Sequence, residues 1–326
     1  MHKTERTVKF VEQFSTKTTK MSKSAILKSS IAKKWWMALT GLFLCLFLVG
    51  HLLGNLQLIF ISGDEGQRAF NEYAYFMTHN PFIKIMSYLT YFSILFHAVD
   101  GFLLTFQNKK ARPVQYAYNK PETNSSTSSR YMAILGSAIL IFIIMHMSNF
   151  WAKMHFSEMP LMKVVNVEEK ESIDMNGVLA TNTDTTEQFL TTSGLYIDAK
   201  VIDDETFGGE SPYDLEGTYL VEAKSKLKTF ELYKDLHSVT LAFFGHDKTK
   251  EAGLPANKYA LIATILYVLA MGVLGFHLWH GFASAFQSLG VNNEKYTPLL
   301  SGFGKAFAVL IPLLFAIIPI VLFLNK

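Results

Sequence analysis

Five long apolar runs decide most of what this chain can become. They cover residues 35–61, 82–106, 131–151, 259–286 and 303–323. Each is long enough to cross a hydrocarbon layer of ~30 Å, which takes ~20 residues of helix. A backbone in lipid has to satisfy its own polar groups, so runs of this kind become helices. Composition agrees, because 50% of the 326 residues are hydrophobic and only 17% are charged, against about 25% charged in an ordinary soluble domain. The expected fold class is an all-α membrane protein, a bundle of five transmembrane helices carrying an acidic, β-rich extracytoplasmic insertion. No nucleic-acid partner is expected; membrane lipid is.

Lysine and arginine in the short flanks set the expected orientation. Residues 1–34 carry nine basic and two acidic side chains, and 107–130 carries Lys109, Lys110, Arg112, Lys120 and Arg130 against one acid. Both are expected on the cytoplasmic side. The connection 62–81 has Asp64, Glu65 and Glu72 against Arg68 alone, as an outer loop should. The division that follows is a basic cytoplasmic segment 1–34, helices one to three over 35–153, an outer insertion 154–257, and helices four and five over 258–326. The N-terminus then lies inside and the C-terminus outside. Residues 1–34 have no apolar core of their own and do not read as a signal peptide; the "KMSKS" at 20–24 makes Met21 an alternative start. Cys45, the single cysteine, lies in the first run and reads as packing, so no disulfide or Cys-x-x-Cys site is available.

Between 164 and 226 there are fourteen acidic and four basic residues. Short alternating runs such as "GLYIDAKVID" and "GTYLVEAK" read as strands bounded by Gly and Asp. The competing reading is a partly disordered acidic loop, since "NTDTTEQ" and "DDETFGGESPYD" are polar and turn-rich. The stretch 231–245 reads as a short amphipathic helix lying at the outer interface.

Four of the apolar runs contain a histidine: His51 in "LFLVGHLLGN", His97 in "ILFHAVDG", His146 in "FIIMHMSN" and His277 in "VLGFHLWHGF". At ~1.5 Å per residue, His51 lies ~24 Å and His146 ~22 Å from the inner ends of their helices, while His97 and His277 each lie ~13 Å from theirs. Two imidazoles facing each other at one depth suit the axial positions of haem iron, and the interior of a helix bundle is where such cofactors sit. The expectation is two b-type haems, one held by His51 with His146 and the other by His97 with His277. A single membrane histidine can equally hydrogen-bond a carbonyl, line a proton path or ligate another metal. Four of them, paired by depth, favour haem.

His280, three residues past His277, competes as ligand or can bind a haem propionate. Gly50, Gly54, Gly101, Gly136, Gly272, Gly275 and Gly281 let helices approach a flat macrocycle, although small residues also serve plain helix packing. Asp100 can pair with a lysine, tune a propionate or simply reach interfacial water. His79 and His155 read as solvated, and His2, His237 and His246 are given no role.

"WWMALTGLFLCLFLVGHLLGN" (35–55), "FHAVDG" (96–101), "IIMHMSNFW" (143–151), "GFHLWHGFASAFQSLGVNN" (275–293) and the loop "RAFNEYAYFM" (68–77) together resemble the dihaem cytochrome b membrane anchor of succinate dehydrogenases and fumarate reductases. The five-helix, single-chain, Bacteroidetes-like form is the one most resembled, over roughly 23–158 and 230–326. The resemblance implies axial ligands at His51, His97, His146 and His277, with a supporting polar residue at His280. It also implies a bacterial inner-membrane subunit of succinate:quinone oxidoreductase that does not itself bind succinate. A flavoprotein subunit and an iron–sulfur subunit would dock on the cytoplasmic face, and electrons would be exchanged with a quinone, expected to be menaquinone. Asp64, Glu65 and Glu72 are then candidates for proton exchange beside that quinone. Two departures stand out. Typical members lack the insertion at 164–226, and the glutamate that some carry two residues before the fourth ligand is Gly275 here. The competing functions are an anchor for another dehydrogenase and a proton-coupled transporter or sensor.

Overall fold

The turn after the first helix shows how local chemistry shapes the chain. In the computed structural model α1 (Ser30–Phe60) stops two residues before Ser62, and Gly63 takes φ +68°, a left-handed conformation that costs glycine little. At Gly66 a side chain would run into the Ile61 carbonyl, so the turn closes directly onto α2 (Gly63–His79). Asp64 and Glu65 occupy the first turn of α2, where carboxylates favour the helix dipole. The next turn works by capping. Asn80 Oδ1 accepts from the backbone N–H groups of Phe82 and Ile83 at 3.0 and 3.2 Å, and Pro81 opens α3 (Pro81–Lys110) at a position where its missing N–H costs nothing.

The structure describes residues 30–111, 114, 120, 123, 125–173, 179–203, 205–247, 254–291 and 293–326, without the side chains of 30, 167–173 and 179–184. Residues 1–29 of the basic N-terminal segment, the alternative start at Met21, Arg112 and His2 lie outside the described residues. The remaining long helices are α4 (Met132–Asn149), continued after a break at Phe150 by α5 (Trp151–Phe156), then α7 (Ala260–Ser288) and α8 (Thr297–Leu324). Between α5 and α7 lies the short α6 (Leu236–Phe243). The protein is mostly helical, and five helical stretches are long and apolar enough to cross a membrane: Ile31–Phe60, Pro81–Lys110, Met132–Phe156, Ala260–Ser288 and Thr297–Leu324. They are the five expected from the sequence, with most ends lengthened by a few residues.

The chain divides into two compact units. The first comprises Met1–Gly50, Met86–Ile141 and Ala270–Leu313, the second His51–Ile85, Phe142–Leu269 and Leu314–Lys326. The first unit packs Cys45 with Leu278, Phe282 and Ala308, so the cysteine is a packing residue. Gly275 lets α7 lie against Ala308 and Pro312 of α8: a Cβ there would sit 3.1 Å from the Ala308 carbonyl oxygen.

The second unit contains the insertion, folded as two three-stranded antiparallel sheets. One has the order β1 (Lys163–Ile173), β2 (Leu179–Leu190), β3 (Tyr196–Asp198), and the other β4 (Tyr213–Glu216), β5 (Tyr219–Glu222), β6 (Lys228–Glu231). The β1–β2 register runs from Lys163 opposite Phe189 to Ile173 opposite Leu179. "NTDTTEQ", the strongest argument for a loop, lies within β2. Its threonines are β-branched and suit a pleated backbone whether or not a face is buried. "GLYIDAKVID" makes only the three-residue β3 before turning into a 3₁₀ helix over Ala199–Ile202, and "GTYLVEAK" contains β5. Phe189, Leu220 and Leu232 form one small core with Ile197, Ile202, Tyr213 and Phe230 around them, and Met162, Leu190 and Tyr233 form another with Tyr75 and Val164.

Helix α2 is tied to the base of this insertion by polar groups. Asp235, only 1% exposed, accepts from Gln67 Nε2 at 2.7 Å, Asn71 Nδ2 at 2.8 Å and the Ser238 N–H at 3.0 Å, the last capping α6. Asn71 Oδ1 in turn accepts from the His237 N–H at 3.0 Å. Tyr75 donates to Glu231 at 2.8 Å, and burial together with that carboxylate pushes its hydroxyl up to about 12. Helix α6 therefore differs from the amphipathic interfacial helix expected over 231–245. It is eight residues long, Glu231 belongs to β6, and His237, Ser238, Val239, Thr240 and Ala242 are buried.

Candidate metal centres

In the first unit His97 of α3 and His277 of α7 face each other, with ring centres 6.2 Å apart and planes at 68°. The residues beside them are small. A Cβ on Gly41 would lie 3.1 Å from His97 Cε1, closer than ordinary van der Waals contact, and a Cβ on Gly136 would lie 3.6 Å from His277 Cε1. The Thr40 hydroxyl lies 3.2 Å from His97 Nδ1. His277 Nδ1 is buried and has no hydrogen-bond partner among the described residues. A buried polar atom in that state costs ~1–3 kcal/mol, and an ion or ligand is an ordinary reason for one.

The second unit holds His51 of α1 and His146 of α4, with ring centres 5.7 Å apart and planes at 85°. Here the neighbours are aromatic. Phe315 lies 5.7 Å from His51, while Phe142 stacks near His146 at 5.8 Å with planes 24° apart, and Phe150 and Tyr267 stand 5.4 and 5.9 Å from the same ring. Polar groups reach Nδ1 in both cases, Asn55 Nδ2 at 3.5 Å from His51 and the Tyr267 hydroxyl at 3.4 Å from His146. Asn55 is held by donating to the His51 carbonyl at 2.8 Å.

The four histidines thus come together as the two expected duos, and His277 rather than His280 stands opposite His97. His280 and Asp100 are half-buried. Glu72 is paired with Arg68 at 2.7 Å, and Asp64 and Glu65 are exposed. His79 and His155 are exposed as expected, although His79 stacks on Tyr75 at 3.9 Å. His237, given no role, is 7% exposed, and His246 bonds the Leu322 carbonyl at 2.7 Å. Of the expected glycines, Gly136 borders a paired imidazole, Gly54 admits the Tyr73 ring, Gly101 faces Met37 and Gly281 faces Met132, while a Cβ on Gly50 or Gly272 would have no described atom within 4 Å.

Thr40, Gly41 and Tyr267 were not singled out from the sequence. They lie on other helices from the histidines they touch, and no spacing rule reaches across helices. Asn55 was findable, since a residue four positions on from His51 shares its helix face.

Among the described residues no three or more His, Cys, Asp or Glu side chains gather at one point. A metal held wholly by protein, such as zinc with three or four ligands, has no cage there. Two opposed imidazoles fit a metal whose remaining ligands arrive with it. Metal–imidazole bonds are about 2 Å, so two of them on one metal, with the reach from each nitrogen to its ring centre, put the centres roughly 6 Å apart. Both duos fall near that spacing. Comparison of the chain with protein-family models, curated proteins and solved structures finds no match.

Proposed function

We propose that the chain is the membrane-anchoring dihaem cytochrome b subunit of a succinate dehydrogenase or fumarate reductase, working between a cytoplasmic flavoprotein and iron–sulfur pair and a membrane quinone, expected to be menaquinone. The observation that carries this reading is the meeting of four intrahelical histidines in two opposed duos, 5.7 and 6.2 Å between ring centres. The resemblance of the surrounding motifs adds the enzyme class. Large apolar side chains on the outside of the long helices, Leu46, Phe60, Phe82, Phe276 and Leu299 among them, support a lipid surrounding, because water would penalise so wide an apolar surface.

His51 with His146 would hold one haem b and His97 with His277 the other. Haem, when bound, supplies reversible one-electron transfer at low reorganisation cost. The residues of the chain supply position. Helices α1, α3, α4 and α7 each fix one imidazole, and the hydroxyls of Thr40 and Tyr267 can accept the Nδ1 hydrogens of His97 and His146, the usual way a ligating histidine is steered through its other nitrogen. Phe142, Phe150 and Phe315 keep water from the His51–His146 duo. Proton exchange with a quinone needs an ionisable group at the outer surface, and Asp64 and Glu65, exposed on the first turn of α2, suit it better than the paired Glu72. On this reading the segment 1–34 and the C-terminal end of α3, with Lys109 and Lys110 in its last turn, face the cytoplasm and residues 154–257 lie on the other side of a bacterial inner membrane.

The test is the visible spectrum and pyridine haemochrome of the purified protein, with mass spectrometry of what co-purifies. Two b haems per chain and a flavoprotein partner are expected. A colourless preparation overturns the cytochrome and favours a proton-relaying transporter; haem without a flavoprotein overturns the dehydrogenase assignment.

A further inference from the structure

Thr40 is 5% exposed and its hydroxyl has three neighbours: the Trp36 carbonyl at 2.7 Å, the Met37 carbonyl at 3.2 Å and His97 Nδ1 at 3.2 Å. A hydroxyl has one proton to give and two lone pairs to receive with. Both carbonyls can only accept, and the shortest contact, to Trp36 on the same helix, takes the proton in the back-bonding habit of helical threonines. Toward His97 the oxygen is left as an acceptor. Nδ1 then carries the hydrogen, with the Met37 carbonyl, which also hydrogen-bonds the His97 ring, as a second acceptor, and Nε2 is the nitrogen with a lone pair. Gly41, the next residue, opens the space that lets the ring come this close. Among the described residues nothing comparable acts on the facing ring, where His277 Nδ1 is buried without a partner.

We propose that Thr40 is a positioning residue of His97: its hydroxyl oxygen accepts the Nδ1 hydrogen beside the Met37 carbonyl, strengthens the tautomer that offers Nε2 to a metal, and makes His97 and His277 unequal ligands. The proposal rests on the haem reading for its consequence, not for its geometry. A hydrogen bond from Nδ1–H raises the basicity of a ligating imidazole. His97 is therefore the stronger donor of its duo and favours the oxidised metal.

The experiment compares the full chain with Thr40→Val, which keeps the branched shape and deletes the acceptor, and with Thr40→Ser, which keeps the hydroxyl. In a redox titration followed optically, Thr40→Val should shift one b haem to a higher midpoint, or release it, while the other haem titrates unchanged; Thr40→Ser should match the unsubstituted chain. Equal midpoints in all three proteins overturn the assignment. So does a shift in Thr40→Ser as large as in Thr40→Val, which would mean packing and not the hydroxyl. If the purified chain has no haem, the functional reading fails on its own, and nitrogen-15 spectra of histidine-labelled protein still test Thr40, with His97→Ala identifying the signal. The hydrogen is expected on Nδ1 of His97, with the Nδ1 signal shifted in Thr40→Val and unshifted in Thr40→Ser; no shift in Thr40→Val overturns the proposal. A hydrogen on Nε2 in the unsubstituted chain overturns the proposal.

Discussion

His97 and His277 meet among glycines, whereas His51 and His146 meet among aromatic rings. The first duo lies beside missing side chains: a Cβ at Gly41 would press on the His97 ring, and one at Gly136 would just touch His277. The second is brought together by filling space with Phe142, Phe150, Tyr267 and Phe315. Hydrogen bonding differs as well. Among the described residues, one Nδ1 of the glycine-lined duo has a hydroxyl and the other no partner, while in the aromatic-lined duo both have a polar neighbour. Nearly the same spacing of ring centres is thus reached by two routes, and the routes should fail under different substitutions.

The sharpest way to break the comparison is to remove the histidines. His97→Ala and His51→Ala should each halve the haem bound per chain, measured as pyridine haemochrome against protein, and the double variant should bind none. Full pigment in either single variant would dissolve the pairing. Next in size is Gly41→Val. Its methyl groups would crowd the His97 ring, so the glycine-lined duo should lose its haem while the aromatic-lined duo keeps its own.

A substitution outside the duos sharpens the contrast further. Asp235→Ala strands Gln67 and Asn71 and uncaps α6, for an expected loss of roughly 2–4 kcal/mol. Limited proteolysis should cut the insertion sooner, with the spectrum of the His97–His277 haem unchanged. Tyr267→Phe removes one weak partner of His146 and is expected to cost about 1 kcal/mol; a small spectral change confined to one haem is the readout. The smallest effect concerns pH. Burial lowers the His237 pKa from 6.5, Asp235 partly opposing and His246 assisting. The unfolded chain then takes up the proton first as pH falls below 6.5, so His237 subtracts stability on acidification. Thermal melts across that range should flatten in His237→Asn.

The helices and the pairing of the histidines were legible because both depend on distance along one chain. Twenty apolar residues fix a span, and 1.5 Å per residue turns a position into a depth. The neighbours of the imidazoles were not legible, because Thr40 is 57 residues from His97 and Tyr267 is 121 from His146. The insertion was readable in kind but not in detail. Acidity and alternation pointed to strands, yet the longest pair, β1 with β2, lies where threonine and asparagine looked like loop. Which neighbours the glycines serve was not legible either. Those near a histidine in sequence, such as Gly54 and Gly101, turn toward Tyr73 and Met37, while Gly41, from a different helix, turns toward His97.

The base of the insertion closes on itself. The Met162 N–H donates to the Tyr233 carbonyl at 2.8 Å, the Asp235 N–H to the Pro160 carbonyl at 2.8 Å, and Leu161 bridges Lys234. Some seventy residues therefore leave and rejoin the main path at one point, as a graft does on a stem. Excising the detour would leave two ends already side by side, ready for a short splice, and the helices on either side would not have to move to receive it.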